Sequence, residues 1–260
     1  MRKPLLLIIF CFIIGLSFAK IAIFGDTRSN PEIHRSIVAA IVKHSPDIAF
    51  HTGDLNSKGL QQSEYDLFHQ INKPLTSICP LYPARGNHER SLQLFTDNFP
   101  VMKQSSYYTV IHDSIKFIIL DSVLDLQPSS LQYKWLQDQI QDSLPAILIL
   151  HHPVFSSGEH SDELGLKQFL PQLLQNSGVF AVFSGHNHIY ERSIYKGISY
   201  IVSGGGGAPL REHNNENPYS IVFARENHFI IADRNQNQIS FIVYALDGTV
   251  LDEFSLNSVR

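Results

Sequence analysis

Ile21-Ala22-Ile23-Phe24-Gly25-Asp26-Thr27-Arg28 sets the pattern on which the architecture rests. Four apolar residues followed by glycine make a short buried strand that ends at a carboxylate. Four more short strands likewise run into polar clusters. Asp47 to Phe50 runs into Gly53-Asp54, and Cys79 to Tyr82 runs into Gly86-Asn87-His88-Glu89. Ala146 to Leu150 runs into His151-His152-Pro153, and Val179 to Phe183 into Gly185-His186-Asn187-His188. In an α/β sheet the carboxyl ends of parallel strands open onto one crevice, so polar clusters far apart in sequence can converge there. A glycine ahead of the polar residue permits a tight turn and close backbone approach.

Helical periods separate these strands. Ile33, Ile37, Val38, Ile41 and Val42 share one face, Ser63 to Leu75 reads as a second helix, and Leu131, Trp135, Leu136 and Ile140 form a stripe capped by Ser129 or Ser130. Leu164 to Leu174 reads as a further helix, stopped near Gly178. Tyr107 to Val110 and Ile115 to Leu120 pair as a hairpin around His112-Asp113-Ser114. Then the helices cease. Ile198 to Val202, Ser220 to Ala224, Phe229 to Ala232 and Ile239 to Tyr244 are strands, the last followed by an Asp247-Gly248 turn. The expectation is α/β: a two-sheet β-sandwich flanked by helices. With no linker rich in Pro, Gly or Ser, residues 20–260 are expected to form a single domain.

Composition narrows the function. Hydrophobic residues at 43% and charged residues at 17% place the chain among globular proteins rather than disordered ones. Arg2 and Lys3 precede an apolar run from Leu5 to Leu16 and then Ser17-Phe18-Ala19. That is the pattern of a secretory signal peptide over residues 1–19, and the run is shorter than the ~20 residues a spanning helix needs. Export to a periplasm or the exterior is therefore expected, with no stable membrane anchor after cleavage. Cleavage would remove two basic residues and no acidic one, making the formal charge of −4 more negative by two. Such a balance argues against nucleic acid as partner, because binding phosphate backbones needs clustered Lys and Arg. Only Cys79 would remain, so no intrachain disulfide is expected. Oligomeric state is not written in the sequence.

Asp, Asn and His together form an oxygen and nitrogen ligand set, suited to Mn²⁺, Fe or Zn²⁺ rather than to metals that prefer thiolate. A central carboxylate can bridge two ions ~3.5–4 Å apart, the spacing of two-metal hydrolysis. In order and spacing, Asp26, Gly53-Asp54, Gly86-Asn87-His88-Glu89, His151 and Gly185-His186-Asn187-His188 resemble calcineurin-like metallophosphoesterases, over about Ile21 to Phe254. Two stretches resemble purple acid phosphatases in particular: His151-His152-Pro153-Val154-Phe155-Ser156, with His160 nine residues after His151, and His186 to Arg192.

The resemblance implies the four-layer αββα fold of that superfamily and a pair of metal ions. It implies that Asp54 bridges both ions, that Asp26 and His188 bind one, and that Asn87, His151 and His186 bind the other. His88 would give a proton to the leaving oxygen or contact phosphate, and His160 would assist it. The plain alternative for His152 and His160 is a hydrogen-bonded loop histidine. The implied reaction is hydrolysis of a small phosphate ester, monoester ahead of diester, by hydroxide formed at the metals. No Ser or Cys nucleophile stands out.

Two departures matter. Where most of the superfamily has His two residues after the first Asp, this chain has Arg28; where purple acid phosphatases have Tyr three residues after the bridging Asp, it has Ser57. The first ion thus lacks a usual side chain, and three outcomes stand open: water fills the place, His51 moves in, or the ion binds weakly. Arg28 either presents its planar fork to substrate phosphate or pairs with Glu89 or another local acid. Gly204 to Gly207 resembles the family's glycine-rich loop near the site, or is a flexible connection; it is no nucleotide fingerprint, because no suitably spaced helix follows. The missing ligand also motivates an alternative from another class: an exported metal-binding or adhesive protein on a phosphoesterase scaffold, with impaired catalysis.

Overall fold

The computed structural model describes residues 19–102, 105–142, 144–160 and 164–258. The expected signal sequence lies, apart from Ala19, outside the described residues. No helix among the described residues is long and apolar enough to cross a membrane.

The leading stretch forms β1 (Lys20–Phe24), followed by α1 (Pro31–Val42), β2 (Ile48–His51), α2 (Gln62–Thr76) and β3 (Leu81–Pro83). Next come a short α3 (Leu92–Asn98), the hairpin β4 (Tyr108–His112) and β5 (Ile115–Ile119), α4 (Leu131–Gln139), β6 (Ala146–Ile149), α5 (Leu170–Leu174) and β7 (Val179–Ser184). Six further strands end the chain: β8 (Tyr190–Tyr195), β9 (Ile198–Ser203), β10 (Ser220–Ala224), β11 (His228–Asn235), β12 (Gln238–Ala245) and β13 (Val250–Asn257). One sheet has the order β13-β12-β11-β1-β2-β3 and the other β10-β8-β9-β7-β6-β5-β4. Strands β1, β2 and β3 run parallel in the first, as do β5, β6, β7 and β9 in the second.

Strand periodicity explains the layering. On β1, Ile21 and Ile23 face the core between the sheets, while Ala22 and Phe24 face the outer core shared with α1 and α2. On β6, Ile147 and Ile149 face inward, and Ala146 and Leu148 pack towards α4 and α5. These strands are apolar throughout because both faces are covered. Phe50 of β2 stacks on Phe117 of β5 at 4.2 Å between ring centroids, pinning one sheet to the other. The result is the expected two-sheet sandwich between helices.

Some local expectations shift. The helix expected over Leu164–Leu174 divides into a turn of 3₁₀ helix at Leu166–Gln168 and α5. Gly165 is left-handed, Phe169 breaks the spiral at φ −132°, and Pro171 has no N–H to bond backwards. The third strand starts at Leu81 rather than Cys79, because the Cys79 N–H still closes the last turn of α2 on the Leu75 carbonyl. Strands β8 and β13 and helix α3 were not foreseen.

Candidate metal centre

Every polar cluster lies beyond the carboxyl end of a parallel strand, after β1, β2 and β3 in one sheet and after β6 and β7 in the other, and the glycine-rich loop follows β9. The turns are strained. Asp26, Asp54 and His186 have φ of 55°, 56° and 69°, a region that costs a non-glycine residue about 1–3 kcal/mol. The loops hold one another there. The Asp26 N–H donates to the Gly53 carbonyl at 2.9 Å, and the His186 N–H donates to the Asp26 carboxylate at 3.1 Å. Gly53, at φ 104°, lies so close to His151 that a Cβ would sit 2.6 Å from its Nδ1.

One set of donors gathers around His151. Its Nδ1–H donates to the Thr52 carbonyl at 2.9 Å, which leaves the Nε2 lone pair bare. That nitrogen faces Asn87 Oδ1 at 3.0 Å, His186 Nδ1 at 3.2 Å and Asp54 Oδ1 at 3.3 Å. Asn87 Oδ1 is also 3.1 Å from His186 Nδ1. Burial, then the neighbouring His152, pushes the His151 pKa well below the usual histidine value, so the ring stays neutral. A bare nitrogen turned towards oxygen acceptors is an arrangement that a cation resolves. These residues fit a metal ion.

A second set is formed by Asp26, Asp54 and His188, whose ligand atoms all lie within 4.8 Å of one another. The His188 Nδ1–H donates to the Pro209 carbonyl at 2.6 Å, aiming Nε2 at Asp26 Oδ1, 3.6 Å away. Burial lowers the His188 pKa to about 4. Burial, reinforced by the charge of Asp54, holds the Asp26 carboxyl well above the usual range. This set also fits a metal, but Arg28 reaches into it. Arg28 Nε donates to Asp54 Oδ2 at 3.1 Å, and Nη2 lies 3.4 Å from His188 Nε2.

A model of the family described as calcineurin-like phosphoesterase matches residues 19–190. The chain belongs to that family. It is 28% identical over 220 residues to a probable purple acid phosphatase 20 of Arabidopsis thaliana, covering 72% of this chain and 51% of the relative. It is 31% identical over 163 residues to purple acid phosphatase 18 of the same plant, covering 54% and 37%. The fold matches the purple acid phosphatase PPD1 from yellow lupin (Lupinus luteus) seeds with a TM-score of 0.83 at 21% identity, over 93% of this chain and 54% of that one. The chain spans about half the length, or less, of these relatives.

The family uses a dinuclear metal centre, and two donor sets lie side by side here. The Asp54 oxygens are divided between them: Oδ1 faces His151 and Oδ2 faces Arg28. Of the three outcomes open for the first ion, movement of His51 is blocked. His51 is fully buried, its Nδ1 accepts the Gly53 N–H at 3.1 Å, and its Nε2–H bonds Thr27 Oγ1 at 3.1 Å. It braces the turns that carry Asp26 and Asp54. The acid beside Arg28 is Asp54, not Glu89. The oxygens of Glu89 accept the N–H groups of Asp54, Asn56 and Gly86 at 2.9–3.1 Å.

The remaining residues line a cleft of about 310 Å³ bounded by Arg28, Asp54, Asn87, His88, His160, His186 and Arg211. His88 donates its Nδ1–H to the Ser57 carbonyl and keeps Nε2 3.9 Å from Asp54 Oδ2. His160 packs its ring 4.7 Å from that of His186, in a loop held by Asn187, whose Oδ1 accepts the His160 N–H at 3.0 Å. His152 bonds Ser122 Oγ through Nδ1 at 2.8 Å. Arg211 was not singled out in the sequence; it pairs with Glu159 across the cleft mouth, and nothing in its local sequence could have told it from a solvated arginine. Gly204 to Gly207 lies against the Asp26 turn, with the Gly206 N–H donating to the Gly25 carbonyl at 2.8 Å and the Ala208 N–H to the Asp26 carbonyl at 2.8 Å. A Cβ on Gly206 would meet the Gly25 carbonyl oxygen at 2.3 Å.

Proposed function

We propose that the chain hydrolyses small phosphate esters, monoesters ahead of diesters, at a dinuclear metal centre, and that it works after export. The observation that carries this reading is the convergence of His151 Nε2, His186 Nδ1, Asn87 Oδ1 and Asp54 Oδ1 beside the Asp26, Asp54 and His188 group. Asn87, His151 and His186 would hold one ion, Asp26 and His188 the other, with Asp54 between them. Bound cations would act as Lewis acids, neutralising phosphoryl charge and bringing the pKa of water towards ~7.

The chain's own groups do the rest. Arg28 and Arg211 line the cleft, and planar guanidinium forks match phosphoryl oxygens. His88 is locked by the Ser57 carbonyl so that Nε2 faces the cleft, and as imidazolium it delivers that proton to the departing oxygen. His160 shapes the cleft wall over His186. On the far side of Arg28 a more apolar hollow lined by Pro31, Leu55, Leu67 and Phe68 seats the organic part of a monoester. The relatives named as purple acid phosphatases support the monoester preference, and the pattern of residues 1–19 supports export.

The test is hydrolysis of an aryl phosphate and of its diester by the Mn²⁺-loaded protein, with metal content measured alongside. Turnover should favour the monoester and vanish on chelation. Asp54→Asn should lower kcat/KM by a factor on the order of 10³. Hydrolysis that survives thorough chelation, or is untouched in Asp54→Asn, would reject the proposal.

A further inference from the structure

We infer that Arg28 competes with one of the two metal ions for Asp54, so that this chain holds its ions with unequal affinity: firmly at Asn87, His151 and His186, and weakly at Asp26 and His188. This inference rests on the dinuclear reading above. Its basis is how the Asp54 carboxylate is divided. Oδ1 faces His151 and accepts the His88 N–H at 3.0 Å, whereas Oδ2 receives Arg28 Nε at 3.1 Å. Arg28 Nη2 lies 3.4 Å from His188 Nε2, the nitrogen left bare because Nδ1–H is committed to Pro209. The guanidinium thus touches two of the three donors of one site and leaves the oxygen serving the other site alone.

An arginine cannot yield by losing a proton, so an ion entering at Asp26 and His188 must displace a permanent positive charge or bind beside it. A unit charge ~4 Å from a divalent cation weakens its binding about tenfold or more, even when strongly screened. His51 offers no compensation, since both its ring nitrogens are engaged. The Arg28 side chain is 16% exposed and opens onto the cleft, so substrate phosphate can draw the fork away from Oδ2. Phosphate and the weakly held ion should therefore assist each other's binding, a coupling that is reciprocal by necessity.

The experiment is calorimetric titration of the metal-free protein with Mn²⁺, with and without inorganic phosphate, alongside a metal count after gel filtration. The wild-type protein should retain one ion per chain and bind a second about tenfold or more weakly. Arg28→Gln should tighten the weak step by about the same factor and leave the firm step in place. Arg28→Lys, which keeps the charge, should leave the weak step weak, and Asp26→Asn should remove it alone. Phosphate should tighten the weak step in the wild type and do so much less in Arg28→Gln. Two ions held equally by the wild type, or a weak step indifferent to Arg28→Gln, would overturn the inference while leaving the phosphoesterase reading intact. Failure to bind any Mn²⁺ would overturn both.

Discussion

At Glu89 a fully buried carboxylate spends its oxygens on three backbone N–H groups, those of Asp54, Asn56 and Gly86. It thereby fixes the turn that carries Asp54 relative to the turn that carries Asn87. Replacing one oxygen by an amide NH₂ sets a donor against a donor. Glu89→Gln should therefore weaken Mn²⁺ binding by about 10–100-fold, as removing groups that orient metal ligands generally does; titration with Mn²⁺ reads this directly, and unchanged affinity would deny Glu89 a positioning role. His228, beneath the glycine-rich loop, is the cleanest titrating group away from the ligands. Its Nδ1–H donates to the Glu226 carbonyl at 2.9 Å and its Nε2 accepts from the Ser203 hydroxyl at 3.2 Å, and burial lowers its pKa to about 4. The unfolded ring takes up a proton near pH 6.5 and the folded ring does not until about 4, so its contribution to stability is complete above 6.5 and is lost as pH falls towards 4. The stability difference between wild type and His228→Gln should then shrink by up to about 3 kcal/mol between pH 7 and 4 in urea unfolding; a constant difference would contradict this. At this scale the residue types now seen to meet could be read from the strand-end pattern. What could not be read was the partner of Arg28 or the left-handed φ of Asp26, Asp54 and His186, because both are imposed by contacts between loops up to 160 residues apart.

Among the elements, those with strong periodicity were legible and those defined by tertiary contact were not. Strand β1 announces itself by an apolar run closed by glycine, and the β4–β5 hairpin by a turn whose Asp113 and Ser114 both take positive φ. Strand β8 was hidden because Tyr190-Glu191-Arg192 reads as polar loop, yet each side chain has a structural partner. Glu191 accepts the Ser157 N–H at 2.7 Å and Asn217 Nδ2 at 2.9 Å, tying down the bases of two loops that border the cleft. Tyr190 and Arg192 both reach Asp252 on β13. Strand β13 was hidden because it is an edge strand with alternating exposed polar residues and little apolar signal. Asp252 joins the two sheets: its Oδ2 accepts the Tyr190 hydroxyl and Arg192 Nε, each at 2.6 Å, and Oδ1 accepts Arg192 Nη2 at 3.1 Å. Asp252→Ala would strand a fully buried hydroxyl and a half-buried guanidinium. It should lower unfolding stability by about 3 kcal/mol while leaving Mn²⁺ affinity within about twofold of wild type. A parallel loss of metal binding would mean that the clamp shapes the centre rather than the sandwich.

On the scale of the whole molecule, the fold concentrates cost at one end and pays for it at the other. The interior between the sheets is apolar and continuous, whereas the carboxyl ends of the strands bring together buried acids, bare imidazoles and backbone held at positive φ. In the absence of a cation, burial and mutual repulsion raise the pKa of Asp26 and Glu89, and burial keeps His151 and His188 from taking a proton. A cation placed among them offsets the repulsion between the acids and takes the lone pairs of the neutral imidazoles, and the unfolded chain, with its donors scattered over five loops, cannot offer such a site. Metal should therefore bind the folded state far better than the unfolded one and stabilise it by mass action, about 2.7 kcal/mol for each ion present at a hundredfold excess over its dissociation constant. For a chain of this size that raises the melting temperature by roughly 5–10 °C per firmly held ion. Scanning calorimetry of the Mn²⁺-loaded and chelated protein checks it, and Arg28 makes the expectation sharper. Because the weakly held ion must contend with the guanidinium at Asp54 Oδ2, melting temperature should rise in two stages as Mn²⁺ increases, and in Arg28→Gln the stages should merge towards low metal concentration. A melting temperature indifferent to chelation would mean that the strained, charged end of the sandwich is balanced without metal, which the facing acceptors at His151 make physically hard to sustain.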